Sequence, residues 1–141
     1  MRDLRDYSGR GRVVEPLVDN ARPTHNMHLM EETLFSKIIA RQIPAKIAYE
    51  DDRYIVIHDI QPQAPVHVLV ITKRVIPTLN DLQPAHAELV GGMFLVAKNL
   101  MQSLGHNDYR TVFNCGPGAQ QSVFHLHLHV LAGRKFTWPP G

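Results

Sequence analysis

Apolar positions along this chain change period several times, and the changes divide it into elements. Leu34, Phe35, Ile38 and Ile39 recur at helical spacing, with Thr33 placed to cap the first turn and Pro44 to end the pattern. Residues 46–50 and 54–59 are runs of β-branched and aromatic residues; Asp51-Asp52-Arg53 between them reads as a hairpin turn. Gln61-Pro62-Gln63-Ala64-Pro65 cannot hold a regular ladder, because each proline lacks its N–H, so it reads as a loop feeding a third strand over 66–72. From Pro84, suited to a first helical turn, Leu89, Met93, Val96, Leu100 and Leu104 keep a three- to four-residue spacing, closed by Gly105. That predicts a long core helix. Gly91-Gly92 within it costs about 1 kcal/mol per glycine relative to alanine; a close backbone contact, such as another helix, would justify it. Residues 109–115 read as a fourth strand, 116–121 as a polar loop and 123–132 as a fifth strand.

Strands joined by short connections outnumber helical crossovers, which predicts an α+β fold with a five-stranded, mainly antiparallel sheet, one long helix and one short one. Residues 1–31 show no sustained period and read as a flexible arm ahead of a compact domain over 32–141. His25 and His28 fall in the arm and read as solvated, as do His86 and His106 at the ends of the long helix.

The fifth strand carries the candidate chemistry. In His125-Leu126-His127-Leu128-His129-Val130-Leu131, alternation puts three imidazoles on one face and Leu126, Leu128 and Val130 on the other. The leucine face can bury against the long helix while the imidazoles line a cleft. Same-face neighbours lie about 7 Å apart, so an oxyanion of phosphate size can touch more than one. Three ligands collinear on one strand diverge, which suits a mononuclear zinc site poorly. One neutral ring attacking phosphorus while its neighbours donate to the oxygens suits the pattern better. The preceding loop, Asn114-Cys115-Gly116-Pro117-Gly118-Ala119-Gln120-Gln121-Ser122, adds glycines, backbone amides and short polar side chains of the kind that cradle phosphate.

Composition narrows the classes. Fifteen Lys and Arg against thirteen Asp and Glu give a net charge of +2, too near balance to point to nucleic acid. A lone cysteine, Cys115, excludes an internal disulfide framework and a cysteine zinc cage, and reads as a small hydrophobe. No apolar run approaches the ~20 residues of a membrane span, and the start lacks the apolar core of a secretory signal. A cytoplasmic or nuclear protein is expected.

The histidine run resembles the histidine-triad signature, His-φ-His-φ-His-φ-φ with φ apolar. Ile43-Pro44-Ala45-Lys46-Ile47, the segment from His58 to His67 and the terminal Trp138-Pro139-Pro140-Gly141 resemble the histidine triad nucleotide-binding (HINT) branch. The resemblance covers about residues 32–141. It implies a purine nucleoside phosphoramidase that hydrolyses adenosine 5′-phosphoramidate and AMP–amine conjugates through a nucleotidyl-histidine, in a homodimer whose sheets join into ten strands. The alternatives are a nucleotide-binding or scaffold protein with incidental catalysis, and a dinucleoside polyphosphate hydrolase. By the resemblance His127 is the nucleophile, flanked by His125 and His129, with His67 as the fourth histidine of the site. Asp59 matches the ribose-binding carboxylate, and Ile43, Ile57 and Ile60 the walls around the base. Asn114, Gln121 and Ser122 match phosphate-side contacts, Ser122 also helping to protonate the departing amine. Trp138 matches a specificity residue reaching the partner subunit's site. Neither a metal nor another cofactor is required by that mechanism. Ile57 stands where members often carry an aromatic residue, and Ala119-Gln120 departs from a loop that is often glycine-rich.

Overall fold

A computed structural model of the protein describes residues 32–141; the arm expected over 1–31, with His25 and His28, lies outside the described residues. Thr33 begins the fold. Its side chain accepts from the Ser36 amide while the Ser36 side chain meets the Thr33 backbone, a reciprocal cap that starts the six-residue helix α1 (Leu34–Ile39). The short strands β1 (Ile47–Glu50) and β2 (Tyr54–His58) follow, then β3 (Val66–Thr72). In the turn between β1 and β2, Oδ1 of Asp51 accepts from the amides of Arg53 and Tyr54. The long helix α2 runs Ala87–Ser103 and is followed by β4 (Tyr109–Val112) and β5 (His127–Ala132).

All neighbouring strands pair antiparallel, in the order β1-β2-β3-β5-β4. The α+β architecture expected from the periodicity is therefore the one observed. Several boundaries move. The expected helix start at Pro84 is a separate 3-10 turn, Pro84–His86, and α2 begins only at Ala87. His86, expected to be solvated, is 7% exposed, and its Nδ1 accepts from the Gln83 amide to cap that turn. Strand β4 ends at Val112 rather than residue 115, and β5 begins at His127 rather than residue 123.

The sheet separates two cores. Tyr54, Val56, Val68, Val70, Leu128 and Val130 share one face with Met93, Ala97 and Met101, which lie at i, i+4 and i+8 on α2. Full burial of one such side chain contributes roughly 1.5–3 kcal/mol. Ile55, Ile57, Leu69 and Ile71 point to the opposite face, under Phe35 and Ile38 of α1. Cross-strand partners place the histidines there too: His127 opposite Ile71 and His129 opposite Leu69.

Of the glycine pair in α2, Gly92 has a cause within the chain. Gly92 lies against the Tyr54 ring, where a Cβ would overlap the phenol, whose hydroxyl donates to the Leu89 carbonyl at 2.6 Å. Gly91 faces open space.

Candidate active site

Four imidazoles meet on the α1 face of the sheet; main-chain partners fix the protonation of three, and His67 passes it on to His129. His127 Nδ1 lies 2.6 Å from the His125 carbonyl. A carbonyl only accepts, so Nδ1 carries the proton and Nε2 of the neutral ring keeps its lone pair. His125 Nε2 lies 2.6 Å from the Thr72 carbonyl and must be protonated; its Nδ1, 2.7 Å from Thr33 Oγ1, then accepts from that hydroxyl. The Gln63 amide donates to His67 Nδ1 at 3.0 Å, which leaves the His67 proton on Nε2. That proton faces His129 Nδ1 at 2.9 Å and, more distantly, Asp59 Oδ2 at 3.4 Å. His129 accordingly accepts at Nδ1 and carries its proton on Nε2. The cluster thus presents one bare nitrogen, on His127, and one ring N–H donor, on His129.

Burial keeps the rings neutral. Loss of water lowers the pKa of His67, His125 and His127 below the ordinary imidazole value, and that of His129 to about 4, where His127 and His67 act in the same direction. Asp59 opposes the shift at His67, His127 and His129. The Phe35 ring sets its face or edge against His127 and His125, at centroid distances of 4.9 and 5.8 Å.

His125 does not line the cleft as alternation alone implied. It is fully buried, outside the strand, because the next amide, Leu126 N, leaves the ladder to donate to the Ile76 carbonyl. Its chemistry is exerted through its carbonyl, which orients His127. His67, His127 and His129 are brought together as expected, with ring centroids 5.2 Å apart for His67–His129 and 5.1 Å for His127–His129. Asp59 adjoins them, and its Oδ1 accepts from the Gln61 amide in the turn after β2.

The remaining expected residues differ widely in exposure. Ile57 is buried in the α1 core, Ile43 packs half-buried against it, and Ile60 is 93% exposed at the loop. Asn114 is half-buried and Ser122 exposed. Gln121 is buried: its Oε1 accepts from the Gly116 amide, and its Nε2 donates to the carbonyls of Pro77 and Val123. It holds the loop's shape. Gln120, in the stretch lacking the usual glycines, adopts a left-handed conformation, φ 69°. Trp138 is 81% exposed. Cys115 is half-buried and unpaired by disulfide.

Oδ of Asp59 and ring nitrogens of His67 and His129 lie within 4.8 Å of one another, close enough for a divalent cation. The tautomers oppose it. With Nδ1 of His67 accepting from Gln63, its Nε2 could ligate only by losing the ring's sole proton. No helix among the described residues is long and apolar enough to cross a membrane.

Sequence periodicity could not expose two contributors to this arrangement. Thr33 carried only a capping signal, and Gln63 acts through its amide, which leaves no trace in residue type.

Comparison with known proteins agrees with this geometry. Residues 32–137 match the family model described as "Scavenger mRNA decapping enzyme C-term binding". An uncharacterized HIT-like protein of Synechocystis is 51% identical over 114 residues, which are 80% of this chain and all of that protein. Among solved structures, a HIT family hydrolase from Legionella pneumophila is 45% identical with a TM-score of 0.76, covering 78% of this chain and 100% of that one. A hypothetical histidine triad nucleotide-binding protein from Sulfolobus tokodaii is 29% identical with a TM-score of 0.64, covering 75% of this chain and 72% of that one. The chain belongs to the histidine triad, or HIT-like, family.

Proposed function

We propose that the protein is a purine nucleoside phosphoramidase of the HINT type, hydrolysing adenosine 5′-phosphoramidate and AMP–amine conjugates. The observation that carries this reading is the His127 tautomer: a neutral imidazole whose proton is committed to a main-chain carbonyl and whose other nitrogen is bare. Relatives described as a hydrolase and as a nucleotide-binding protein support it.

The His127 Nε2 lone pair attacks phosphorus, and the phosphorus–nitrogen bond to the amine breaks. Ser122 delivers the proton that the departing amine takes up. Water then attacks the nucleotidyl-His127 and returns a proton to Ser122, the bond from phosphorus to Nε2 breaks, and AMP leaves. His129 donates its Nε2 proton to a phosphate oxygen as charge builds there, backed at Nδ1 by His67. Asp59 Oδ2 receives a ribose hydroxyl, Ile43 and Ile60 flank the base above the buried Ile57, and Asn114 with the loop held by Gln121 faces the phosphate. Trp138 acts on the neighbouring subunit's site in a homodimer. Neither a metal nor another cofactor takes part.

The test is kcat/KM for adenosine 5′-phosphoramidate with diadenosine triphosphate in parallel. Preference for the phosphoramidate, abolished in His127→Ala while AMP still binds, is the expected result. Preference for the dinucleotide assigns the protein to polyphosphate hydrolysis, and AMP binding without turnover of either substrate assigns it a binding role.

A further inference from the structure

We infer that Thr33 is a positioning residue for the reaction: its hydroxyl, while capping α1, donates to Nδ1 of the buried His125, whose Nε2 proton the Thr72 carbonyl holds, and so keeps that ring neutral and in the place from which its carbonyl orients His127. The chain of contacts is continuous. Thr33 Oγ1 accepts from the Ser36 amide at 2.9 Å and lies 2.7 Å from His125 Nδ1. His125 Nε2 donates to Thr72 O, and His125 O accepts from His127 Nδ1.

The hydroxyl suits both tasks because it can donate and accept at once. With its one proton turned to His125, its lone pairs remain for Ser36. Both sides of a wholly buried imidazole are thereby satisfied in the neutral state, Nε2 by a carbonyl and Nδ1 by a hydroxyl. An acceptor in place of the Thr33 donor draws a second proton onto Nδ1, because the Thr72 carbonyl still holds the one on Nε2. The buried ring then becomes charged, or turns. Either change moves the carbonyl that holds His127. The ring meets Thr33 and Phe35 from α1, the Thr72 carbonyl from the end of β3, and His127 along its own segment. His127 is the titratable group among these whose charge acts on it.

Two substitutions separate the roles. Thr33→Ser keeps both donor and acceptor. Thr33→Asp keeps the cap, for which aspartate is well suited, but offers His125 only an acceptor. Imidazole ¹⁵N shifts of the substrate-free protein report the His125 tautomer, and kinetics on adenosine 5′-phosphoramidate report the consequence; the kinetic readout rests on the phosphoramidase reading. In the wild type and Thr33→Ser, His125 carries its proton on Nε2 and turnover is alike. In Thr33→Asp, Nδ1 becomes protonated and kcat falls about tenfold or more while KM stays within about threefold, as expected for loss of one aligned hydrogen bond that positions a reacting group. If the aspartate variant does not fold, Thr33→Val, which offers neither donor nor acceptor, leaves the proton on Nε2 and shifts only the Nδ1 resonance, now without its donor, with the same fall in kcat. Wild-type His125 protonated on Nδ1, unchanged ¹⁵N shifts in Thr33→Asp (or in Thr33→Val where that variant replaces it), or wild-type kcat in Thr33→Asp overturns the proposal. If the wild type has no turnover, the phosphoramidase reading fails, and the spectra alone still decide whether Thr33 keeps Nδ1 of His125 unprotonated.

Discussion

His129 concentrates the site's electrostatics in one ring. It accepts from His67, keeps a proton for the substrate, and is held neutral by burial and by two neighbouring imidazoles to a pKa of about 4. The free nucleophile His127 is also pushed below the ordinary imidazole range, first by burial. The acid limb of activity should therefore lie below 6.5, where a solvated histidine would already be charging. A kcat/KM profile from pH 4 to 8 checks this; an acid limb at the ordinary imidazole pKa would contradict it. Stability has a related dependence. The unfolded chain binds protons at these histidines as pH falls below about 6.5, while the folded chain resists down to about 4 for His129, so stability declines across that window. Urea unfolding at pH 7 and pH 5 should give the lower midpoint at pH 5. His129→Ala should lower kcat more than it raises KM, since its N–H acts mainly on developing charge; the kcat–KM split in steady-state kinetics measures it.

Among the elements, α2 shows how packing overrides propensity. Gly92 is the weak helix former that Tyr54 requires. Gly92→Ala gains helix propensity but drives a methyl group into the phenol, and should destabilise by roughly 1–3 kcal/mol, overpacking outweighing about 1 kcal/mol of propensity. Gly91→Ala meets open space, so the two midpoints in one denaturation series should diverge, with Gly92→Ala the lower. The elements were largely legible in the sequence: β2 as a continuous β-branched and aromatic run because both its faces are buried, β5 by alternation, and α2 by an apolar stripe at helical spacing, although its buried line is Met93, Ala97 and Met101 while Leu104 is exposed. What was not legible depends on distant atoms. The reason for Gly92 lies in Tyr54, on another element. His125 leaves the ladder because Ile76 draws the next amide, and its Nδ1 partner Thr33 is ninety-two residues away. His86 looked solvated because nothing nearby in sequence signals that the Gln83 amide turns back to it. The histidine group itself could be read from alternation, but not which ring nitrogen bears a proton.

At the scale of the molecule, the sheet leaves β4 as an edge, and Phe94, Leu95, Leu104 and Tyr109 on α2 and near β4 are exposed. Apolar side chains beside an unpaired edge are what a second copy would cover, in keeping with the homodimer proposed above. Sedimentation should show a dimer at micromolar concentration, and Leu95→Asp should shift it toward monomer; a monomeric wild type would remove the proposed role of Trp138 in trans.

The hydrogen bonds that set the reactive tautomers end mostly on the backbone: the carbonyls of His125 and Thr72, and the amide of Gln63. Mutation exchanges side chains and leaves peptide groups in place. The protonation pattern of the histidines is thus inherited with the path of the chain, and descendants can vary the residues bearing those peptides without rewriting the chemistry. Proline at position 63, which would delete an amide hydrogen, is the exception, and Thr33, like the imidazole of His67 that backs His129, is a link that an ordinary substitution can erase.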